Sequence, residues 1–352
     1  MIRILYLGSD SAHSTSLHRA NALRRIGHQV QIFDPAAAIG QSVKTKLSGI
    51  FHYRTGYYFL QDQILTWLNT VVEQQMITDL VWVDSGELLG YECIALLKEK
   101  LKCPVILYNI DDPTGKRDGG RFKTLIRALP IYDLVNVVRN ETKEECIRLG
   151  AKMVRRVWRS YDELKHRPFE APDAIPPKYR TEVCFVGTWI RYEKRDKFLI
   201  ELAKSGLAIN IWGNRWKKSS YWSFLKAHYN GGELGGPDYV AAIQGAKINI
   251  GLLSKGNRDL HTTRSLEIPY AGGLLCAKRT SEHLELYKDG VEAVFWDDAK
   301  ECAHLCKELL QDDVRREAIR IAGMKRVREL GVGNEDICRG IIQAAGFTDT
   351  IR

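Results

Sequence analysis

The sequence predicts an α/β protein with two doubly wound, Rossmann-like domains, each a parallel sheet covered by helices on both faces. Short apolar runs typical of strands alternate with amphipathic helical segments along most of the chain. Because these runs are continuously apolar, they indicate parallel strands buried on both faces. A stretch at residues 167–180, rich in proline and without apolar periodicity, divides the series in two and reads as a linker.

The first series predicts a domain over residues 1–170. Strands are expected at residues 2–7, 30–33, 80–83, 104–110, 134–138 and 153–157. Helices are expected at residues 16–26, 43–77, 91–101, 122–129 and 141–149. The helical region at residues 43–77 is inferred from Leu60, Ile64 and Leu68, which recur at helical spacing.

The second series predicts a domain over residues 180–335. Strands are expected at residues 183–186, 208–212, 248–253, 274–277 and 293–295. Helices are expected around Phe198 to Leu202 and at residues 239–244, 264–270, 282–287, 300–310 and 314–330. Residues 336–352 form a third segment with a final helix, which is expected to pack back on the first domain. The two domains are expected to enclose a cleft.

The composition indicates a cytoplasmic protein with a basic surface. The eight cysteines form no CxxC pair and are expected to be reduced and buried. On a helix, His304 would point away from Cys302 and Cys306, so no metal site is predicted there. No run of about 18 apolar residues suggests a membrane span, and no secretion signal is expected. The net charge of +9 suits nucleic acid, an anionic membrane surface or phosphorylated small molecules.

Polar residues after the strands of the first domain are candidates for a site, since ligands of such sheets bind beyond the carboxyl ends of the strands. His13 is either a base or substrate contact, or a histidine at a helix N-terminus without a catalytic role. The first loop lacks GxGxxG, so Asp34 does not indicate a dinucleotide site. Asp111 and Asp112 precede a proline, a pattern more typical of a turn and helix cap than of a cation site.

Two strand ends of the second domain offer ligand contacts. Gly187 and Thr188 end a strand before a helix, where backbone N–H groups could face a phosphate, and Arg191 follows closely. An ordinary strand-to-helix turn is the alternative. The sequence Trp212-Gly213-Asn214 places an aromatic ring and exposed backbone at a strand end, where a flat base could lie. A tryptophan of the core is the alternative there.

The stretch from Asp259 to Glu267 offers an arginine and two acids. A helix is expected to begin near Thr262 or Thr263, with its N-terminus towards a ligand. Arg264 in its first turn could bind a diphosphate oxygen, and Glu267 lies on the same face. The alternative is a surface ion pair between Arg264 and Glu267, which would contribute little. Asp259 and Glu267 are spaced as D-x7-E.

These residues resemble a known family. The segment Arg264-Ser265-Leu266-Glu267-Ile268-Pro269-Tyr270-Ala271-Gly272-Gly273-Leu274-Leu275, with Glu282-His283-Leu284 and Asp289 to Ala293, is similar to the CgeB-like spore-maturation glycosyltransferases. That group is related to the retaining GT4-type enzymes, which have the GT-B fold. Residues 183–191, 211–216 and 239–252 also fit its pattern. The resemblance covers about residues 180–300, and the first domain is compatible with it.

The resemblance implies that the second domain binds a nucleotide-sugar donor, linked to UDP or to GDP or dTDP. Glu267 would hold the ribose hydroxyls, and Arg264 with Gly187 and Thr188 would hold the diphosphate. Further donor contacts would come from Arg191, Trp212, Gly213, Asn214, Tyr239, Thr262 and Thr263. Asp259 stands where the family has a glutamate near the donor sugar, and Lys255 or Arg258 could replace the usual lysine.

The resemblance also implies a transfer that needs neither metal nor cofactor, because arginine, lysine and a helix dipole can stabilise the leaving group. It favours retention of configuration; an inverting enzyme would need a base, for which His13, Asp84 and Asp111 are the candidates. His13, Asp111, Asp259 and Arg264 are therefore the predicted catalytic residues. The acceptor would be a saccharide, a lipid-linked or a protein acceptor, with contact to an anionic membrane and none to nucleic acid. A non-catalytic protein of the same fold that binds saccharide or nucleotide is the alternative.

Overall fold

The computed structural model describes residues 1–74 and 77–347, which form two compact units. The first unit comprises Met1–Arg159, Gly256–Arg258 and the C-terminal segment from Asn334. The second comprises Ser160–Lys255 and Asp259–Gly333. Each unit has its own sheet and its own core, so each is described separately.

The first unit contains a six-stranded parallel sheet in the order β2-β1-β3-β4-β5-β6. Its strands are β1 (Arg3–Leu7), β2 (Gln29–Phe33), β3 (Leu80–Asp84), β4 (Val105–Asn109), β5 (Leu134–Val137) and β6 (Val154–Arg156). Its helices are α1 (Thr15–Arg25), α2 (Lys46–Arg54), α3 (Gln61–Glu73), α4 (Tyr91–Leu101), α5 (Lys123–Ala128) and α6 (Asn140–Arg148). Strands β3 and β4 are buried along their whole length, which explains their continuous apolar sequence.

The second unit repeats this architecture with the strand order β12-β11-β10-β7-β8-β9, again all parallel. Its strands are β7 (Thr181–Val186), β8 (Ile209–Trp212), β9 (Tyr229–Gly231), β10 (Ala246–Gly251), β11 (Leu275–Lys278) and β12 (Val294–Trp296). Its helices are α7 (Arg195–Lys204), α8 (Trp222–Leu225), α9 (Gly236–Gln244), α10 (Arg264–Tyr270), α11 (Ser281–Leu286), α12 (Ala299–Gln311) and α13 (Asp313–Glu329). The chain then returns to the first unit as α14 (Asn334–Ala344), which packs against α1.

The helical prediction for residues 43–77 is wrong in one respect, because a left-handed turn divides the region between α2 and α3. Gly56 and Tyr57 have φ angles of 66° and 58°. A Cβ on Gly56 would lie 2.7 Å from the carbonyl oxygen of Gly120, so this close contact requires glycine. Helical periodicity cannot reveal such a turn. Residues 75 and 76 of the predicted region lie outside the described residues.

Two further differences concern short or irregular segments. The short elements α8 and β9 were not predicted, since three or four residues carry no measurable periodicity. Residues 160–170, which the sequence analysis assigns to the first domain, lie in the second unit. Tyr161 stacks on Tyr270 with ring centroids 3.8 Å apart, and the Phe169 N–H and carbonyl both bond to the Gln244 amide. The proline-rich stretch therefore belongs to the second unit and is partly packed within it.

No helix within the described residues is long and apolar enough to cross a membrane.

Candidate functional site

The predicted donor-binding residues lie on loops and helices that follow the strands of the second sheet. In a parallel sheet these loops meet at one edge, where ligands bind. Helix α10 follows the long loop after β10, and it carries both Arg264 and Glu267.

Glu267 is a buried carboxylate that Tyr239 hydrogen-bonds and His166 approaches, both from distant parts of the unit. The Tyr239 hydroxyl donates to Glu267 Oε2 at 2.6 Å. His166 Nδ1 accepts the Asp162 N–H at 2.9 Å, so the proton of the neutral ring lies on Nε2, which faces Glu267 Oε1 at 3.7 Å. Burial, reinforced by the Glu267 charge, raises the pKa of Tyr239 well above its usual value, so this hydroxyl keeps its proton. A carboxylate has about four acceptor positions, so it can still bind ligand hydroxyls.

Arg264 lies near this carboxylate without pairing with it. Its positive charge acts on Tyr239, but it forms no hydrogen bond or ion pair with any residue in the described part of the chain. Its Nε atom is buried, and buried donors are nearly always bonded. The surface ion pair between Arg264 and Glu267 is thus absent, and the guanidinium is available to an anion.

Residues of α11 hold the loop before α10 in place. His261 Nδ1 lies 2.5 Å from Glu282 Oε2, and both side chains are buried. Ser265 Oγ accepts the Thr262 N–H at 3.0 Å and lies 2.7 Å from His283 Nε2. The Thr262 N–H is therefore engaged within the loop.

His283 is a neutral, fully buried histidine in this network. Burial lowers its pKa to about 4. Its Nδ1–H donates to the Lys278 carbonyl at 2.6 Å, so Nε2 accepts from the Ser265 hydroxyl. The ring thereby connects the end of β11 to the first turn of α10, and it positions the helix that carries Arg264 and Glu267.

A cavity of about 700 Å³ lies beside the same loop in the second unit. Its polar lining includes Glu193, Arg195, Lys197, Lys255, Asp259, Lys278 and Thr280. Asp259 is 9 % exposed and borders this cavity. Glu193 accepts the Ser254 hydroxyl at 3.1 Å and the Lys255 N–H at 2.8 Å, which fixes the segment after β10. A mixed set of cations and carboxylates suits a ligand with both phosphate and hydroxyl groups.

The Gly187–Thr188 turn differs from the prediction. Helix α7 begins at Arg195, so the turn is not at a helix N-terminus. The Gly187 N–H donates to the Trp212 carbonyl at 2.8 Å and is not free for a phosphate. A Cβ on Gly213, whose φ is 136°, would lie 2.2 Å from the Gly187 carbonyl oxygen. The two glycines thus let adjacent strand ends pack together, a structural role.

The tryptophan at the end of β8 belongs to the core, which was the alternative interpretation. Trp212 is 7 % exposed, and its ring packs against Tyr179 with centroids 5.3 Å apart. Its neighbour Asn214 is exposed and donates to Glu233 at 2.7 Å. Arg191 is also exposed, with its guanidinium over the Tyr192 ring. Neither Asn214 nor Arg191 contacts Glu267 or Arg264, and Thr263 caps α10 without a side-chain bond.

In the first unit, the acids after the strands are paired with arginines. Asp84 accepts two hydrogen bonds from Arg19, at 2.8 and 3.0 Å, and one from the Tyr6 hydroxyl. Asp112 accepts from Arg258 at 2.7 and 2.6 Å, and Arg258 also binds Glu145. Arg258 is thus not free to replace the lysine of the family, and Asp84 is not free to act as a base.

The remaining candidates of this unit are less constrained. Asp111 lies 3.4 Å from Arg121, and its backbone carbonyl accepts from Arg139. His13 is exposed in the turn before α1, whose N-cap is Ser14. The carbonyl of Asp112 accepts the Gly115 N–H at 3.1 Å, as the predicted turn requires.

Three cysteines form a group that the sequence analysis did not connect. The sulfurs of Cys276, Cys302 and Cys306 all lie within 4.8 Å of one another, in the core of the second unit. His304 points away, as predicted: its side chain is 72 % exposed and pairs with Glu308. The thiols are buried among apolar residues, so we interpret them as part of the core.

Comparison with known proteins gives the family resemblance and the fold. Residues 193–330, which include Glu193, Arg264 and Glu267, match the family model described as glycosyl transferase-like. None of the curated proteins matches the chain significantly.

Solved structures match both units at once. The sucrose-phosphate synthase of Thermosynechococcus elongatus is similar with a TM-score of 0.72 and 12 % identity, covering 98 % of each chain. The chain has the GT-B fold. Anabaena HepE in complex with UDP-glucose gives a TM-score of 0.67 at 12 % identity, over 98 % of this chain and 100 % of that one. AviGT4, a glycosyltransferase involved in avilamycin A biosynthesis, gives 0.61 at 12 % identity, over 98 % of this chain and 97 % of that one.

Sequence reasoning missed the residues that support Glu267. His166 lies among basic residues next to the proline-rich stretch, and no local motif connects it to Glu267. Glu193 and Arg195, which border the cavity, lie in a charged segment at the start of α7, where surface residues are the usual expectation. The pair Glu282-His283 was noted only as part of the family pattern.

Proposed function

We propose that this protein is a glycosyltransferase that takes its sugar from a nucleotide-sugar donor, with UDP-linked sugars as the first candidates. The observation that carries the proposal is the buried Glu267 carboxylate, held by Tyr239 and adjacent to the unpaired guanidinium of Arg264. Both residues lie in the glycosyl transferase-like region, residues 193–330. The GT-B structure of HepE holds UDP-glucose, which supports the choice of donor.

In the proposed mechanism, Glu267 accepts hydrogen bonds from the ribose hydroxyls. The Tyr239 hydroxyl occupies Oε2 from one side and keeps the carboxylate from rotating. A diol presents two donors at a fixed separation, so an oriented carboxylate binds it better than a mobile one. Glu267 thereby fixes the nucleoside and brings the diphosphate to Arg264.

Arg264 is proposed to bind the diphosphate and to stabilise the charge that develops on it as the glycosidic bond breaks. Guanidinium bonds to phosphate are charge-assisted, and they strengthen as negative charge accumulates. Lys255 and Lys278 border the adjacent cavity and are proposed to add positive charge. With these groups the leaving group can be stabilised without a metal ion, so we propose a metal-independent reaction.

Retention of configuration is proposed, with Asp259 near the donor sugar. The acids after the first-unit strands support this, since Asp84 and Asp112 are engaged by arginines and are poor candidates for a general base. His13 and Asp111 are the remaining candidates if the reaction inverts. The acceptor is proposed to be a saccharide, a lipid-linked or a protein acceptor.

The binding step is tested by calorimetry with UDP and UDP-glucose on the full chain. A hydrogen bond to a charged group contributes about 1.5–3 kcal/mol, so Glu267→Gln and Arg264→Ala should each weaken binding roughly 10- to 150-fold. Glu317→Gln is the matched control, because Glu317 only pairs with Arg320 on the surface of the same unit. If both site variants bind UDP with unchanged affinity, the assignment is wrong.

The catalytic step is tested by incubating the protein with UDP-sugars and mixed saccharide or lipid-linked acceptors. Released UDP together with a glycosylated acceptor supports a transferase. Tight donor binding without any turnover over the whole panel would instead support the non-catalytic binding protein, and this outcome leaves the Glu267 and Arg264 contacts standing.

A further inference from the structure

Helix α2 exposes three large apolar side chains on one face. Leu47, Ile50 and Phe51 are spaced i, i+3 and i+4, so they share one face of the helix. Their exposed fractions are 81 %, 41 % and 51 %, and none of the nine residues of α2 is buried. Arg54 follows Leu47, Ile50 and Phe51 by seven, four and three residues, so this exposed face combines apolar side chains with a cation.

The following turn enlarges the apolar surface. Phe59 stacks on Phe51 with ring centroids 5.5 Å apart, and Tyr58 packs edge-on against Phe59. Tyr58 and Phe59 are 56 % and 63 % exposed. Contiguous exposed apolar side chains of this size mark an interaction surface. We call Leu47, Ile50, Phe51, Tyr58 and Phe59 the α2 patch.

The surroundings of the α2 patch are basic. Residues 35–61 contain Lys44, Lys46 and Arg54 but no aspartate or glutamate. Arg127 adds a fourth cation, since its guanidinium lies over the Tyr58 ring, 5.7 Å from the centroid. Asp34 and Asp62 flank this segment, and Asp34 accepts the Ala36 N–H. Asp118 accepts from the Tyr53 hydroxyl and is paired with Arg117 and Arg121.

A shallow groove along the same helix shares this character. Its volume is about 680 Å³, and its lining has basic and uncharged side chains without a carboxylate. The basic residues of the lining are Lys44, Lys46 and Arg54. A groove of this composition offers charge-assisted bonds to a phosphate beside an apolar surface.

We infer that the α2 patch docks the first unit on an anionic phospholipid surface. Apolar and aromatic side chains of an interfacial helix enter the boundary between headgroups and acyl chains, and neighbouring lysines and arginines bind lipid phosphates. The combination of Leu, Ile and Phe with four cations matches both parts of such a surface. Helix α2 has nine residues, which suits a helix that lies in the interface.

The positive charge around the α2 patch also argues against a second copy of the chain as its binding partner. Two α2 patches facing each other would bring eight cations together without opposing carboxylates, and like charges across an interface oppose association. An anionic membrane removes this conflict, because each added cation strengthens the contact. The inference is independent of the proposed donor site, which lies in the second unit.

Vesicle sedimentation tests the inference on the full chain without any nucleotide sugar. Wild-type protein should sediment with vesicles of phosphatidylcholine and phosphatidylglycerol, weakly with phosphatidylcholine alone, and less as salt is raised. The variant L47S/F51S/F59S should lose roughly tenfold or more of this binding, because it removes the inserted side chains. Lys44→Glu with Lys46→Glu should weaken binding to the anionic vesicles only.

Matched controls separate docking through the α2 patch from the general effect of changing an exposed apolar or basic residue. Val314→Ser changes an apolar residue that is 83 % exposed on α13, and Lys217→Glu with Lys218→Glu makes the same charge change in the second unit. Both controls should bind vesicles as wild type does. Circular dichroism should show the patch variants folded, since the replaced side chains are exposed.

Three results would overturn the inference. The first is wild-type protein that does not bind anionic vesicles. The second is equal binding by wild type and the patch variants. The third is a concentration-dependent dimer in sedimentation velocity that L47S/F51S/F59S abolishes, since the patch would then bind a second copy. Because no sugar nucleotide is present, none of these results bears on the donor site.

Discussion

Replacing His283 should remove a specific pH dependence from the stability of the second unit. The ring is fully buried, and its pKa is lowered to about 4 by that burial. His283→Asn keeps a donor near the Lys278 carbonyl, loses the contact with Ser265, and cannot be protonated in this range. The variant therefore tests whether the need to keep this imidazole neutral makes the free energy of unfolding depend on pH.

The sign and size of this pH effect follow from the linkage between proton binding and folding. The unfolded histidine titrates near 6.5 and the folded one near 4, so between these values the unfolded chain binds more protons. The free energy of unfolding consequently falls as the pH drops below 6.5, and the loss is complete below 4. One pKa unit corresponds to about 1.4 kcal/mol, so His283 alone should cost about 2 kcal/mol between pH 7 and pH 5.

Urea unfolding at pH 7, 6 and 5, followed by tryptophan fluorescence, measures this difference. Five of the eight tryptophans report on the second unit: Trp189, Trp212, Trp216, Trp222 and Trp296. Wild type should lose about 2 kcal/mol more than His283→Asn over this range. His304→Gln, a histidine with a 72 % exposed side chain, is the control and should behave as wild type. Equal pH slopes for wild type and His283→Asn would refute the reasoning.

Two further substitutions test packing and a buried ion pair by thermal unfolding. Gly213→Ala should lower stability by more than about 1 kcal/mol, because its Cβ would meet the Gly187 carbonyl at a φ of 136°. Gly206→Ala, at a φ of 96° in open space, should cost less, and an equal cost would show that the clash is relieved. Asp84→Asn should cost about 3–5 kcal/mol by leaving the Arg19 charge buried and unpaired. A loss below 1 kcal/mol would show that water or another group compensates Arg19.

The fold could be predicted from the sequence because its signal is local and repeated. Buried strands such as β3 and β4 are apolar runs, and the longer helices between strands have their own periodicity. Helices such as Tyr91–Leu101 and Arg264–Tyr270 have the predicted bounds. The wrong predictions also have local causes. A left-handed turn at Gly56 and Tyr57 interrupts a helical pattern, and strand β9 is too short to show a strand pattern.

The site was less predictable because its contacts join distant residues. The spacing of Arg264 and Glu267 correctly places both on one helix, yet their partners depend on what packs against that helix. Tyr239 and His166 reach Glu267 from positions 28 and 101 residues earlier in the chain. No spacing rule gives such contacts. Trp212 illustrates the same limit, since a strand-end tryptophan looks identical in sequence whether its ring binds a ligand or fills the core.

The arginines of the described chain show where charge remains available for a ligand. Burying a guanidinium costs several kcal/mol unless carboxylates pair with it. The buried Arg19 and the partly exposed Arg258 are both paired with carboxylates. Arg19 binds both oxygens of Asp84, and Arg258 binds Asp112 and Glu145, so the charge of each is neutralised within the protein. Arg264 has no such carboxylate, although Glu267 lies one helical turn away and is engaged by Tyr239 instead. An anion is the partner that would balance this charge, and the proposed diphosphate, with its ribose on Glu267, would satisfy both residues at once.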